Sequence, residues 1–285
     1  MLSTKPIKKI ISATLLGSAF FSCAYFNTYY NTKKYFNEAL EENKNRTTDR
    51  PTASERQKFD KTISQASKVL QLYPDSKYVD DALLILGKSF YYIEDYRKAE
   101  RKFQELIEFF PNSEKVEAAQ LWLAKTQLSL LRYDLAFTDL QKLVQSAKEK
   151  KIRHEAQYWL GESYFQQELY AEASQTFNAV LEKIDDEELL AHTYKRLGEC
   201  YLQQQSYFQA AQSFQQAAKR SRNLEKQFDL NLQYAKALNA AGTHDEAIEN
   251  LESLIAQNEQ HKMVWLAKLK LANSYLAKKK KKKAI

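Results

Sequence analysis

The chain has 285 residues with only five glycines and four prolines, so long helices joined by short connections are the natural reading and no stretch reads as a convincing strand. The formal charge of +7 invites a nucleic-acid reading. However, removing Lys5, Lys8 and Lys9 takes it to +4, and removing Lys278 to Lys283 takes it to −2, so the body is near neutral and the charge points to a solvated helical surface. Two cysteines, Cys23 and Cys200, are too few for a disulfide framework or a zinc site.

Residues 1–22 begin with Lys5, Lys8 and Lys9 and continue as an apolar run from Ile10 to Phe21. Twelve residues fall short of the ~20 that span a bilayer as a helix, and the pattern is that of a secretory signal peptide. The run ends Phe20-Phe21-Ser22-Cys23, followed by Ala24. From Tyr25 to Asn43, the residues Tyr25, Tyr29, Phe36 and Leu40 recur at helical spacing and predict an amphipathic helix. Two roles are open to this stripe: a cap packed on the following helix, or an anchor at a bilayer interface with Lys33 and Lys34 at the headgroups. Residues 45–54 read as a loop, and Ser54 to Leu72 as a second helix, so that 23–74 form one N-terminal helix plus a degenerate first repeat.

From Asp75 to Ile285 one unit repeats. Ala99, Ala136, Ala173, Ala210, Ala247 and Ala284 are spaced 37 residues apart, and twelve residues before each stands a small residue: Gly87, Ala124, Gly161, Gly198, Ala235, Ala272. A period of 20–50 residues marks a solenoid whose units bury their apolar faces by stacking. In the first unit, Ser76 is the expected N-cap of a helix from Lys77 to about Tyr92. A turn at Glu94-Asp95 then leads to a helix from Tyr96 to Phe110. In the fifth, Gly242 ends a helix and Thr243 with Glu246 forms the expected capping box of the next. The glycines at 87, 161 and 198 are expected to let two helices of a hairpin approach closely, at roughly 1 kcal/mol of helix propensity each.

Leu86-Gly87, Phe90, Tyr96, Ala99, Phe103 and Pro111 resemble the tetratricopeptide repeat, and the pattern returns at Gly161, Tyr170, Ala173 and Phe177 and at Gly198, Tyr207, Ala210 and Phe214. The resemblance implies an all-α, right-handed superhelical solenoid of antiparallel helix pairs, about six repeats over residues 75–285 with the last incomplete. Phe21-Ser22-Cys23 resembles the lipobox of bacterial lipoproteins, with Phe20 where that pattern has Leu. It implies lipidation of Cys23, and Ala24 in place of Asp implies delivery to the outer membrane. Together with Tyr73-Pro74-Asp75-Ser76-Lys77-Tyr78, it is similar to the BamD/YfiO group of outer-membrane assembly lipoproteins. Coordinating lipoproteins of the YbgF type and secretion-system lipoproteins, acting through oligomerisation or cell-wall contact, share the same parts.

No residue spacing suggests catalysis, a metal, a cofactor or a small-molecule substrate: His154, His192, His244 and His261 are dispersed, and Cys200 lies inside a repeat helix. The expected function is therefore a non-catalytic scaffold on the periplasmic side of the outer membrane, binding protein or peptide segments and no nucleic acid. By the resemblance, first helices line a concave groove, which places Lys88, Lys125, Glu162, Glu199 and Lys236 in one row and Tyr91, Leu128, Phe165, Leu202 and Asn239 in another. Core packing between units is the other reading for Leu128 and Leu202. The last unit reaches Ala284 after six lysines. Its helical pair is expected to break off there, which reads either as a docking surface or as truncation of a longer frame.

Overall fold

The computed structural model describes residues 27–44, 46 and 50–284, in which there are thirteen α-helices and no strand. The leader at 1–22 and the lipidation site Cys23 lie outside the described residues. The chain divides into two compact units, residues 1–132 and 133–285.

The first unit holds α1 (27–44), α2 (Ala53–Leu72), α3 (Val79–Tyr92), α4 (Tyr96–Phe109) and α5 (Val116–Ser129). The aromatic stripe of α1 packs inward. Phe36 meets Phe59 edge to face at 6.3 Å, and Tyr29 stacks on Tyr78 at 4.2 Å while its hydroxyl donates to Asp81 Oδ2 at 2.9 Å. Burial, reinforced by that carboxylate, raises the Tyr29 pKa. Helix α1 thus covers the end of the repeats, the capping role of the two that its sequence left open. The start of α2 is fastened by a feature that the Thr52-Ala53-Ser54-Glu55 spacing carries and that the reading of 45–54 as a loop passes over. Thr52 and Glu55 form a capping box, and the fully buried Glu55 carboxylate also accepts from Asn43 and Arg46.

Helix α3 begins at Val79, two residues later than Ser76 as its N-cap requires. Ser76 Oγ instead accepts the Tyr78 backbone N–H at 3.0 Å, closing a tight turn after Pro74, and Ser113 does the same for Lys115 one unit later. A hydroxyl spent on the residue two ahead is lost to the helix N-terminus.

The second unit holds α6 (Tyr133–Ser146), α7 (Lys150–Gln166), α8 (Tyr170–Leu181), α9 (Glu187–Gln203), α10 (Tyr207–Arg220), α11 (Leu224–Ala240), α12 (His244–Gln257) and α13 (Val264–Ala284). In both units the hairpins are closed by one contact. A Cβ placed on Gly87 would lie 2.5 Å from the Phe103 ring, one on Gly161 2.6 Å from Phe177, and one on Gly198 2.8 Å from Phe214. Each ring lies flat on a bare Cα sixteen residues earlier. Where the fifth unit has Ala235, the facing position is the shorter Leu251, and both are fully buried in one cluster. Ala124 and Leu140 repeat that combination in the sequence.

The turns between paired helices share one geometry at the same period. Glu94, Leu131, Glu168 and Gln205 take φ of 67°, 60°, 61° and 58°, and Gly242 takes 80°. In each turn the left-handed residue donates its N–H to the carbonyl three back, and the next residue donates to the carbonyl five back, as in Gln205 to Leu202 and Ser206 to Tyr201. This is the Schellman ending, and four of its five left-handed positions lack glycine. The expected capping box of the fifth turn does not form: Thr243 makes no side-chain cap hydrogen bond, and its Oγ1 donates to the Leu238 carbonyl at 3.0 Å.

Helix α13 departs from the expected plan. It runs through Lys279, the position 37 residues after Gly242 where a turn belongs, and continues to Ala284, which is therefore no part of a second helix. Lysine is a good helix former, and cationic residues are favoured at a helix C-terminus.

The left-handed turns generate a stability prediction. A side chain in this region costs ~1–2 kcal/mol, while glycine costs ~0.5–1 kcal/mol in chain entropy. Gln205→Gly is expected to raise the urea midpoint by the equivalent of about 0.5–1 kcal/mol, whereas Gln205→Ala, which keeps the Cβ, leaves it unchanged.

Candidate functional site

The repeat spacing places three rows of first-helix residues on one face, at two before, one after and four after each small position. In the first unit this face combines Lys88 and Tyr91 of α3 with Trp122 and Lys125 of α5. Lys125 Nζ sits 3.4 Å from the centre of the Trp122 ring, and Lys88 Nζ 5.1 Å from the same ring. Tyr91 stands edge-on to Trp122 at 5.2 Å and to Tyr96 at 5.4 Å, while Tyr92 meets Trp122 at 5.6 Å and stacks on Phe59. Two ammonium groups are thus drawn onto one indole whose orientation is held by packed rings, each such contact being worth ~0.5–2 kcal/mol. Lys125 is only 8% exposed, and Lys88 and Tyr91 are half-buried. Leu128 is 1% exposed, so it offers no surface to a ligand and belongs to the core.

The second unit carries Glu162 and Phe165 of α7, Glu199 and Leu202 of α9, and Lys236 and Asn239 of α11. Glu162 is not an open acidic position. It is 2% exposed, accepting from the Tyr158 hydroxyl at 2.7 Å and from Arg196 Nε at 2.6 Å. Arg196 also donates from Nη1 to Glu199 at 2.6 Å, and its guanidinium lies 4.8 Å from the centre of the Phe165 ring. Burial, the largest single effect, lowers the Arg196 pKa, but Glu162, Tyr158 and Glu199 together outweigh it and the group ends above its ordinary value. Burial next to that carboxylate holds the Tyr158 hydroxyl protonated. The network ties α7 to α9 and leaves Glu199, which Lys195 also approaches, as its accessible end.

Leu202 packs against the cluster around Phe214, while Phe165 stays half-buried and edge-on to Tyr170. Asn239 is engaged by Ser274 and His244, and Lys236 is exposed. Asp229 lies on the same helix, with burial raising its pKa and Glu199 adding to the effect against Lys195 and Lys270.

Trp122 and Arg196, which organise the two surfaces, stand two residues before Ala124 and Gly198. The 37-residue register that located the other two rows applies equally to Ile85, Trp122, Trp159, Arg196, Gln233 and Lys270.

Chemistry of other kinds has little to work with among the described residues. No group of three His, Cys, Asp or Glu side chains is placed to hold a metal. Cys200 is buried and its thiol is pushed up to about 12 by burial and the nearby Glu199, so it is protonated at neutral pH. An open depression of about 490 Å³ beside α7 is lined by Lys150, Arg153, His154 and Lys183 together with Glu182 and Asp185, a mixture of signs with no aligned nucleophile and base. No described helix is long and apolar enough to cross a membrane.

A tetratricopeptide repeat-like domain matches residues 94–229, and a tetratricopeptide repeat matches residues 228–284. The fold is an all-α tetratricopeptide-repeat solenoid. Solved structures of such repeats share it. The chain is 16% identical to PilW, described as a widely conserved type IV pilus biogenesis factor, with a TM-score of 0.60 over 82% of this chain and 97% of that one. It is 14% identical to Pseudomonas aeruginosa PilF, with a TM-score of 0.57 over 85% of this chain and 99% of that one. A tetratricopeptide repeat protein from Parabacteroides merdae is 14% identical, with a TM-score of 0.53 over 86% and 89%. The comparison with curated protein sequences returns no match. Tetratricopeptide-repeat domains bind protein partners and are typically non-catalytic scaffolds.

The buried ion pair carries a specific expectation. Arg196→Ala leaves the Glu162 carboxylate buried with only the Tyr158 hydroxyl, and is expected to cost about 3 kcal/mol by urea unfolding. Glu199→Ala, at the more accessible end, is expected to cost under about 1 kcal/mol.

Proposed function

We propose that this chain is a lipid-anchored, non-catalytic scaffold on the periplasmic side of the bacterial outer membrane, holding protein partners of an envelope assembly machine in the manner of the BamD/YfiO group. The observation that carries the binding role is the surface of Lys88, Tyr91, Trp122 and Lys125. It presents the half-buried Lys88 and Tyr91, held in place by the largely buried Trp122 and Lys125 (9% and 8% exposed). Ordering a lysine side chain on binding costs ~0.5–1.5 kcal/mol, and here that cost is met before a partner arrives. The surface suits an extended segment with carboxylates interleaved with large apolar residues: the rings supply contact area and the charges set direction and encounter rate. Anchoring is supported by the lipobox-like Phe21-Ser22-Cys23-Ala24. Residue 27, the first described residue of α1, is four residues after Cys23, so an acylated Cys23 holds that end of α1 within about 15 Å of the membrane.

Two measurements test the two halves. Metabolic labelling with palmitate is expected to mark the protein, and Cys23→Ser to lose the label and release the chain to the soluble fraction. A membrane distribution unchanged by Cys23→Ser contradicts the anchor. For binding, a peptide rich in glutamate and phenylalanine is expected to bind the full chain with an affinity that falls steeply with salt and weakens about tenfold in Lys88→Gln, a loss of ~1.4 kcal/mol. Equal binding of a glutamine-for-glutamate peptide contradicts the charge reading.

A further inference from the structure

The edge of the first unit where one hairpin passes to the next carries large apolar side chains in the open. Leu72 at the end of α2 is 63% exposed, and Phe109 at the end of α4 is 67% exposed. The two stand at one register, which the later units fill with Ser146, Lys183, Arg220 and Gln257, so its apolar character is confined to the units nearest the N-terminus. Helix α1 begins at this edge. Tyr29 stacks on Tyr78 and donates to Asp81, Lys115 Nζ lies 3.6 Å from the same Asp81, and the Ser113 hydroxyl donates to Asp80. These contacts tie the first turn of α1 to both junctions, the one after Leu72 and the one after Phe109. Lys77 and Phe109 line one depression of about 330 Å³ there, and Tyr30, next to the fastened Tyr29, is 66% exposed.

We propose that this edge lies in the boundary between headgroups and acyl chains of the membrane that holds the chain, with Leu72 and Phe109 inserted and Tyr30 at the interface. The proposal rests on acylation of Cys23 and adds to it which side of the repeats meets the lipid. Three observations set a bilayer as the occupant. An acylated Cys23 is four residues from residue 27, which keeps lipid within about 15 Å of the end of α1, and Tyr29 fastens that end to the junction after Leu72. The apolar register ends two units from that tether, where a surface held by the tether is no longer close at hand. Tyrosine and apolar side chains flanked by lysines are the composition of a bilayer interface, and Lys33 and Lys34 are exposed beside Tyr30. Charge adds little to the attraction: the exposed Lys68 and Lys77 are matched by the exposed Asp75, Glu108 and Glu114, so the contact is apolar and insensitive to salt. The stripe of α1 that caps the repeats takes no part in it.

The test uses the acylated chain, extracted and reconstituted into vesicles of phosphatidylethanolamine and phosphatidylglycerol. One nitrobenzoxadiazole label is placed on Leu72→Cys, Phe109→Cys or, as the control, Arg97→Cys; Cys200 is buried with its thiol protonated, so the new thiol takes the label. Arg97 is exposed at the other end of α4, about 18 Å from Phe109 along the helix. Labels at 72 and 109 are expected to be quenched by spin-labelled lipid and to lose quenching by aqueous iodide, at low and high salt alike, while the label at 97 shows the reverse. A label on Tyr30→Cys is expected to lose its lipid quenching when Leu72→Ser and Phe109→Ser are combined, with the chain still floating with the vesicles. Labels at 72 and 109 that iodide reaches on a vesicle-bound chain overturn the inference and leave the anchor standing. A chain that does not float with the vesicles overturns the anchor and this inference with it. Labels shielded from iodide but not reached by the spin-labelled lipid also overturn it, since they assign the edge to protein cover, either Ala24-Tyr25-Phe26 or a second copy.

Discussion

A phenylalanine ring lying on a bare Cα sets the distance between the two helices of a hairpin, and the rest of each unit follows from that distance. Gly87 with Phe103, Gly161 with Phe177 and Gly198 with Phe214 place ring atoms where any Cβ would collide. Glycine inside a helix is intrinsically unfavourable by ~1 kcal/mol, so its place there has to be compensated by burial of an entire ring. The Ala235 and Leu251 pair keeps the approach by a different division of volume. Once first helices are set in this way, their rows at two before, one after and four after the small residue recur with each unit. Those rows carry Trp122, Lys125, Arg196 and Glu162.

Much of this architecture was legible in the sequence, because volume is encoded one residue at a time. The alanine column, the small column and the sixteen-residue offset to Phe or Leu locate the hairpins without reference to charge or turn chemistry. The turns were less legible. Only Gly242 announces a left-handed residue, whereas Glu94, Leu131, Glu168 and Gln205 adopt the same φ because the packed helices on either side dictate it. Side-chain hydroxyls at helix ends were misread for a related reason. Ser76 and Thr243 each have two backbone groups within reach, and the choice depends on the path of the preceding turn.

The candidate surfaces divide in the same way. Reading along one row places Glu162 and Glu199 in the groove, and the pairing of Glu162 with Arg196 appears only when one unit's column is set against the next. Leu128 was offered as either groove or core, and its burial decides for core. The lysines at 88 and 125 gain their meaning from Trp122, a residue in the row that had not been read. At the far end, the six lysines do not mark a turn followed by a short second helix but the continuation of α13, and this leaves a face with the composition of an interior one.

The dependence of hairpin geometry on complementary volume is tested most directly by a double-mutant cycle at positions 161 and 177, read as unfolding free energy in urea. Gly161→Ala alone is expected to destabilise by about 1–3 kcal/mol, since the methyl group meets the Phe177 ring. In the Phe177→Leu background the same substitution is expected to be neutral or stabilising by up to ~1 kcal/mol, because the clash is gone and alanine is the better helix former. Equal destabilisation by Gly161→Ala in both backgrounds would contradict the account, since the ring would then not be what requires the glycine.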